Sequence, residues 1–285
     1  MKLVEATAVP PAGILHSIRK YINILRASLI ERMTYRADFM LGTVLRFLPM
    51  LTTILLWQAI YMSAPGEEIA HYRVNDMIAY LLLVHISRMF SSMPGLAAGI
   101  ARDIRDGNLK KYLLQPIDML SYLVSYRMAH KAAYVTTSFL PYAFLFFLCR
   151  GFFADLTISW TQAAAYVASL LMAFVVGFFF EACIGMIGFW FLEVTSLLYV
   201  VNTVNFFLSG HMFPLDLLPA FWAAFFKSLP FQYMAYFPAT VLLGKIQGED
   251  LARELLLELV WGIGFVVMAR IIYRVGLKRY SAYGG

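Results

Sequence analysis

Long apolar stretches separated by short charged or proline-broken pieces set the pattern of this sequence. A bilayer core takes about 20 mostly apolar residues per helix, and six segments come near that length. Residues 39–62 form the first, interrupted by Arg46 and Pro49. Residues 77–93 form a shorter second that carries His85 and Arg88. Residues 132–148 form a third, continuing an amphipathic run from Asp118. Residues 163–208 are almost wholly apolar and, at about 1.5 Å per residue, too long for one crossing. They divide near 188–193 into a fourth and a fifth span, and residues 255–273 are the sixth. The pattern predicts an all-α integral membrane protein with six transmembrane helices in one domain over residues 1–285.

Three pieces do not span. Within residues 1–37, Ile14, Ile18, Ile22, Leu25 and Leu29 recur at helical spacing, with His16, Arg19, Lys20, Asn23 and Arg26 opposite. That predicts an N-terminal amphipathic helix lying in the inner headgroup layer. Spans one and two (38–94) lead into a link, 95–118, that alternates charge at Arg102, Asp103, Arg105 and Asp106. It turns at Asp106-Gly107 and restarts at Asn108, a good N-cap; Pro116 stops it, and Asp118 is placed to cap the next helix. A short helix, a turn and a second short helix are therefore expected to project from the membrane. Spans three to five fill 119–208. The segment 209–250 is broken by Pro214, Pro219, Pro230 and Pro238, and its pieces are too apolar for a water-exposed loop yet too short to cross. Outer re-entrant half-helices are expected there, with Trp222, Tyr233 and Tyr236 at headgroup depth. Residues 251–285 carry the last span and a tail.

Composition supports lipid as the main solvent. The chain is 61% hydrophobic and only 14% charged, against about 45–50% apolar and about 25% charged in soluble domains. An ordinary soluble enzyme, a disordered chain and a disulfide-stapled domain are excluded. The net charge of +6 is a matter of topology. With the N-terminus inside, Lys2, Arg19, Lys20, Arg26, Arg32 and Arg36 fall on the inner side. So do Arg102, Arg105, Lys110, Lys111, Arg127 and Lys131 from the link region, and Arg270, Arg274, Lys278 and Arg279 from the tail. Only Arg73, Arg150, Lys227, Lys245 and Arg253 fall outside, which is a strong positive-inside bias. Both termini are expected in the cytoplasm, and the basic excess needs no nucleic acid. No uncharged apolar leader precedes Arg19, so no signal peptide is expected.

Enzyme signatures are missing. There is no GxxxxGK[ST], HExxH, GxSxG or GxGxxG, and the five histidines form no ligand pair at helical spacing. No catalytic residue, metal or bound cofactor is expected in this chain. Cys149 and Cys183 are read as buried small hydrophobes. What remains is a set of ionisable groups in or beside the spans: Arg46, Arg88, Glu181 and Glu193. A charge at a lipid-facing helix centre costs about 2.5–3.5 kcal/mol, so such groups turn to protein, to water or to the interface. Snorkelling suits Arg46 and Arg88, each near the inner edge of its span. Glu193 is expected at the inner turn between spans four and five. Glu181 is the one for which an interior polar role is preferred.

The order of these parts resembles the type 2 ABC transporter permeases, over essentially the whole chain. The resemblance is carried by Ile104-Arg105-Asp106-Gly107-Asn108-Leu109 followed by Tyr112-Leu113-Leu114-Gln115-Pro116-Ile117-Asp118. Gly188-Phe189-Trp190-Phe191-Leu192-Glu193, Asn205-Phe206-Phe207-Leu208-Ser209-Gly210 and Phe213-Pro214-Leu215 are similar to a bacterial branch that often pairs two different permease chains. The resemblance implies an exporter subunit in the bacterial cytoplasmic membrane. Its partners would be two ABC ATPase subunits, which hold the ATP and magnesium, and a second permease chain, identical or related. It assigns ATPase coupling to the link, with Arg102, Asp103, Arg105, Asp106, Gly107, Asn108, Leu109, Tyr112 and Pro116 as the contact set and the N-terminal helix as its brace. Two other classes are conceivable on the sequence: a secondary transporter using Arg46, Arg88 and Glu181, and an intramembrane lipid-modifying enzyme. The first lacks an inverted repeat, and the second lacks a convergent polar cluster in the sequence.

Overall fold

The computed structural model describes residues 14–34, 36–63, 68–154, 156–191 and 193–280. Expectations for residues 1–13 and for the side chain of Arg46 lie outside the described residues. The chain begins with α1 (Ile14–Thr34) and α2 (Arg36–Ser63), then a two-residue hairpin of β1 (Glu68–Ile69) and β2 (Tyr72–Arg73). Next come α3 (Val74–Ser91), α4 (Leu96–Arg105), α5 (Lys110–Leu113) and α6 (Met119–Leu148), then α7 (Trp160–Gly185) and α8 (Thr195–Leu208). Short α9 (Ala220–Ser228) and α10 (Tyr236–Leu242) precede the last helix, α11 (Gly248–Arg279). Four helical stretches are long and apolar enough to cross a membrane: Val74–Arg105, Met119–Leu148, Trp160–Phe189 and Gly248–Arg279. Phe47–Ser63 and Thr195–Leu208 are shorter apolar helices. The chain is a helical, multi-pass membrane protein.

Local chemistry explains several boundaries. Ser159 opens α7 with a reciprocal cap: its hydroxyl accepts the Gln162 N–H while the Gln162 side chain accepts the Ser159 N–H. Asp118 caps α6 by accepting the Ser121 N–H at 2.8 Å, as the sequence predicts. The apolar run 163–208 breaks where expected, through a 3-10 turn at Met186–Phe189 and a non-helical stretch before Thr195. α11 places Glu249 and Asp250 in its first turn and Lys278 and Arg279 in its last, matching the helix dipole.

α7 is the hub, with α3, α4, α10 and α11 packed around it. Its face bearing Gly177 and Gly185 receives the chain between α3 and α4. A Cβ on Gly177 would lie 2.0 Å from the Ser91 carbonyl oxygen, and one on Gly185 2.7 Å from that of Ala97. Only glycine admits such an approach. At one end of the bundle, Leu96, Ile100, Ile104, Leu109 and Tyr112 bury against Phe178, Ala182, Met186 and Phe189. At the other, Tyr72, Tyr80, Tyr233, Tyr236 and Phe237 form the largest aromatic core.

The aromatic residues of the outer segment divide by burial. Tyr233 and Tyr236 are buried within the protein. The Tyr236 hydroxyl donates to Asp216 at 2.8 Å and that of Tyr233 to Glu254 at 2.8 Å, so half-buried carboxylates draw both rings inward. Trp222, with Phe221 and Phe225, remains exposed on α9. And α4 does not stand away from the spans as a projecting link. It runs on from α3 along α7, because its apolar face has the α7 glycine surface to cover.

Candidate functional site

The link is two-faced. Leu96, Ala97, Ile100, Ala101 and Ile104 of α4 point into the core, while Arg102 and Arg105 are exposed. α4 ends in a Schellman motif: the Asn108 N–H reaches the Asp103 carbonyl at 2.8 Å and the Gly107 N–H reaches that of Ile104 at 3.3 Å. Gly107 takes φ +71°, the left-handed conformation that this stop requires. Asn108 therefore closes α4; it does not cap α5, whose first turn has no side-chain cap. The motif uses the Asn108 backbone, and α5 starts one residue later. Lys111 clamps the two short helices by pairing with Asp103 at 2.7 Å. Dehydration alone would lower the Lys111 pKa, but the Asp103 carboxylate outweighs it and holds it above the ordinary lysine value.

The nine predicted link residues thus divide by burial. Arg102, Arg105, Asp106, Asn108 and Pro116 are exposed, and Asp103 is half-buried. Gly107, Leu109 and Tyr112 are buried and hold the turn to the bundle. Arg105 pairs with Asp106 at 3.1 Å and approaches Glu193 at 3.9 Å. Glu193 is exposed at the turn between α7 and α8, where it accepts the Thr195 N–H at 2.7 Å. Those contacts hold its carboxyl below the usual range. A charged outer surface of the link and the α7–α8 turn therefore form one patch.

α1 braces the end of this link. It lies against α6, with Lys20 Nζ donating to the Pro116 carbonyl at 2.5 Å. The Asp118 N–H donates to the Tyr21 hydroxyl at 3.2 Å. Asp118 also pairs with Arg270 of α11 at 2.6 Å, so its capping carboxylate joins α6 to α11 while its backbone N–H holds α1. Burial pushes its carboxyl up, but Arg270 and Ser121 outweigh that and hold it below the usual range.

The second feature is interior. Residues 92–95 break the helix between α3 and α4, and a cavity of about 450 Å3 opens at the break. Arg88, Glu181, Asn202 and Asn205 line it together with Phe180, Leu198, Phe206 and Met234. Arg88 lies midway along Val74–Arg105, not near an inner edge, so snorkelling does not describe it. It turns into the cavity near Glu181, and no ion pair within 4.0 Å joins the two. Arg88 and Glu181 thus line one interior cavity, whereas Glu193 stands apart at the surface.

Basic residues of α6 close the same break. Arg127 Nη1 donates to the Pro94 carbonyl at 3.0 Å, and Lys131 Nζ to the carbonyls of Met89 and Ser92. These cations satisfy the orphan carbonyls at the end of α3. On the other side of the break, Glu181 lies beside the backbone amide of Ala97 in the first turn of α4. Gly95 offers no side-chain cap, so Glu181 supplies the anion there. The pattern of charge along the sequence shows neither arrangement, because the partners are more than 30 residues apart.

A family model described as ABC-2 family transporter protein matches residues 47–284. The chain belongs to that family. No curated protein matches it. As an ABC-2 permease subunit, the chain is of a kind that is typically non-catalytic and works with ATPases. The permease also holds polar groups that sequence reasoning passed over. Glu258 of α11 is wholly buried beside Ser169 of α7; a lone glutamate inside Leu255-Leu256-Leu257-Glu258-Leu259-Val260 was its signal. Asp216 accepts the Tyr72 hydroxyl at 2.8 Å and pairs with Lys227 at 2.5 Å, at the edge of an opening of about 520 Å3. Burial raises the Asp216 carboxyl, but Lys227 and the tyrosines outweigh it and hold it low.

Proposed function

We propose that this permease is the transmembrane subunit of an ATP-driven exporter in the bacterial cytoplasmic membrane. Six spans cross the bilayer, namely α2, α3 with α4, α6, α7, α8 and α11, and both termini are cytoplasmic. The outer segment 209–250 forms the half-helices that cover the path. A second permease chain, identical or related, completes the path, and separate ABC subunits supply ATP hydrolysis with magnesium.

The observation that carries this reading is the two-faced link. Its charged side, Arg102, Arg105, Asp106 and Asn108, is free for a protein groove. Its apolar side is locked into α7 and α11 through Ile104, Leu109 and Tyr112. Force on the charged turn therefore reaches the central helix without passing through a flexible joint, which is what gating by a partner requires. Replacing Arg105 and Asp106 together by alanine is expected to release or uncouple the ATPase while membrane insertion stays intact. Co-purification and ATP-dependent export read this directly. An unchanged complex with unchanged export would refute the assignment.

A further inference from the structure

The cavity at the α3–α4 break holds groups that the coupling role does not use. Arg88 presents a guanidinium there, near Glu181 but with no ion pair to it within 4.0 Å. Asn205 of α8 is only 5% exposed, and its Oδ1 has no hydrogen-bond partner. A buried amide oxygen left unpaired costs about 1–3 kcal/mol, and an arginine within a membrane span marks a functional position. The surrounding charge is net positive. Arg88 and Arg127 act on a single carboxylate, Glu181, which itself faces the first turn of α4. The remaining wall, Phe180, Leu198, Phe206 and Met234, is apolar. At about 450 Å3 the space is in the range of ligand sites.

We propose that this cavity binds an anionic amphiphile whose acid head also carries an O–H, as a monoalkyl phosphate monoanion does. The anionic oxygens pair with Arg88, the O–H donates to Asn205 Oδ1, and the alkyl chain lies along Phe180, Leu198, Phe206 and Met234. Such a ligand satisfies both unused polar groups at once. A cationic amphiphile satisfies neither and meets Arg88 as a like charge. If the permease reading holds, this names the class of cargo; binding itself requires no ATP, so the two readings fail separately.

The test is scintillation-proximity binding of radiolabelled decyl phosphate to the full-length chain, with its co-purifying subunits, in phosphatidylcholine nanodiscs. Saturable binding is expected, with no competition from decyltrimethylammonium. Arg88→Gln is expected to weaken it about tenfold or more and Arg88→Lys by less, while Asn205→Leu weakens it about tenfold. Asn205→Leu carries the test if Arg88→Gln fails to assemble, because Asn205 belongs to no ion network. Addition of phosphatidylglycerol separates two sources of the same head chemistry. Competition assigns the site to a bilayer lipid, its absence assigns it to an amphiphile from outside the bilayer, and either supports acid recognition. Equal competition by the cationic amphiphile, or affinity untouched by both Arg88→Gln and Asn205→Leu, overturns the proposal. Retained binding with no ATP-dependent export removes the exporter reading alone.

Discussion

Asp118 shows how much one side chain can organise. It caps α6, pairs with Arg270 of α11 and, through its backbone N–H, meets Tyr21 of α1. Its capping role is legible in the sequence, since Asp follows Pro116 at the start of an apolar run. Its partner is not, because Arg270 lies 152 residues away. Asp118→Asn keeps a capping oxygen but removes the charge that pairs with Arg270, and is expected to lower stability by up to about 1 kcal/mol. Because the folded carboxyl is held below its unfolded value, that stabilisation is present above the unfolded pKa of about 3.9 and is lost as pH falls through the folded one. Thermal unfolding of both proteins in detergent should show a constant gap near neutral pH that closes below about pH 4. A gap that persists in acid would remove the carboxylate from the explanation. Arg88 teaches the complementary lesson. Its place beside a charged link suggests an interfacial anchor, and only the continuation of α3 into α4 puts it inside the fold.

At the scale of elements, the close contact of α7 with the α3–α4 chain is the joint on which coupling depends. Gly177 and Gly185 lie eight residues apart on one face of α7, with Glu181 between them at helical spacing. Glycine spacing of this kind permits close helix approach in membranes, but the sequence does not say what approaches. The structure supplies Ser91 and Ala97. Gly185→Ala is expected to displace α4 and to abolish ATPase association, since the new methyl would meet backbone that has no rotamer to yield. Gly42→Ala, where nothing lies within 4 Å, should behave as wild type. Gel filtration and pull-down of the ATPase check both; normal assembly of Gly185→Ala would show that the joint is looser than its geometry. The cations at the same joint, Arg127 and Lys131, were counted from sequence as positive-inside residues, and their hydrogen bonds to the end of α3 give them a second task.

For the whole molecule, topology is the prediction. Single cysteines introduced at Lys110 and at Glu249, in a chain whose buried Cys149 and Cys183 are replaced by serine or alanine, report the two sides. An impermeant maleimide applied to intact cells should label position 249 and spare position 110 until the membrane is opened. Labelling of both, or the reverse, would overturn the orientation drawn from Lys and Arg placement.

Although the helices run past the expected spans, Val74–Arg105 against 77–93 and Met119–Leu148 against 132–148, the distribution of apolar residues and basic charge was enough to determine the helical membrane class, the break in the long apolar run 163–208, the Asp106-Gly107 turn and the candidate link. These are local properties: the length of an apolar run, the residue types at a cap, and the side on which cations accumulate. Tertiary structure alone decided which face of the link is buried, that α4 continues from α3 along α7, and that Tyr233 and Tyr236 turn inward to Glu254 and Asp216. It alone also brought Arg88, Glu181 and Asn205 to one cavity from three different helices. The reason is distance along the chain. In a lipid-embedded bundle nearly every helix is apolar all round, so hydrophobic pattern does not specify which faces meet; glycine clearance and the pairing of a few buried charges make that choice.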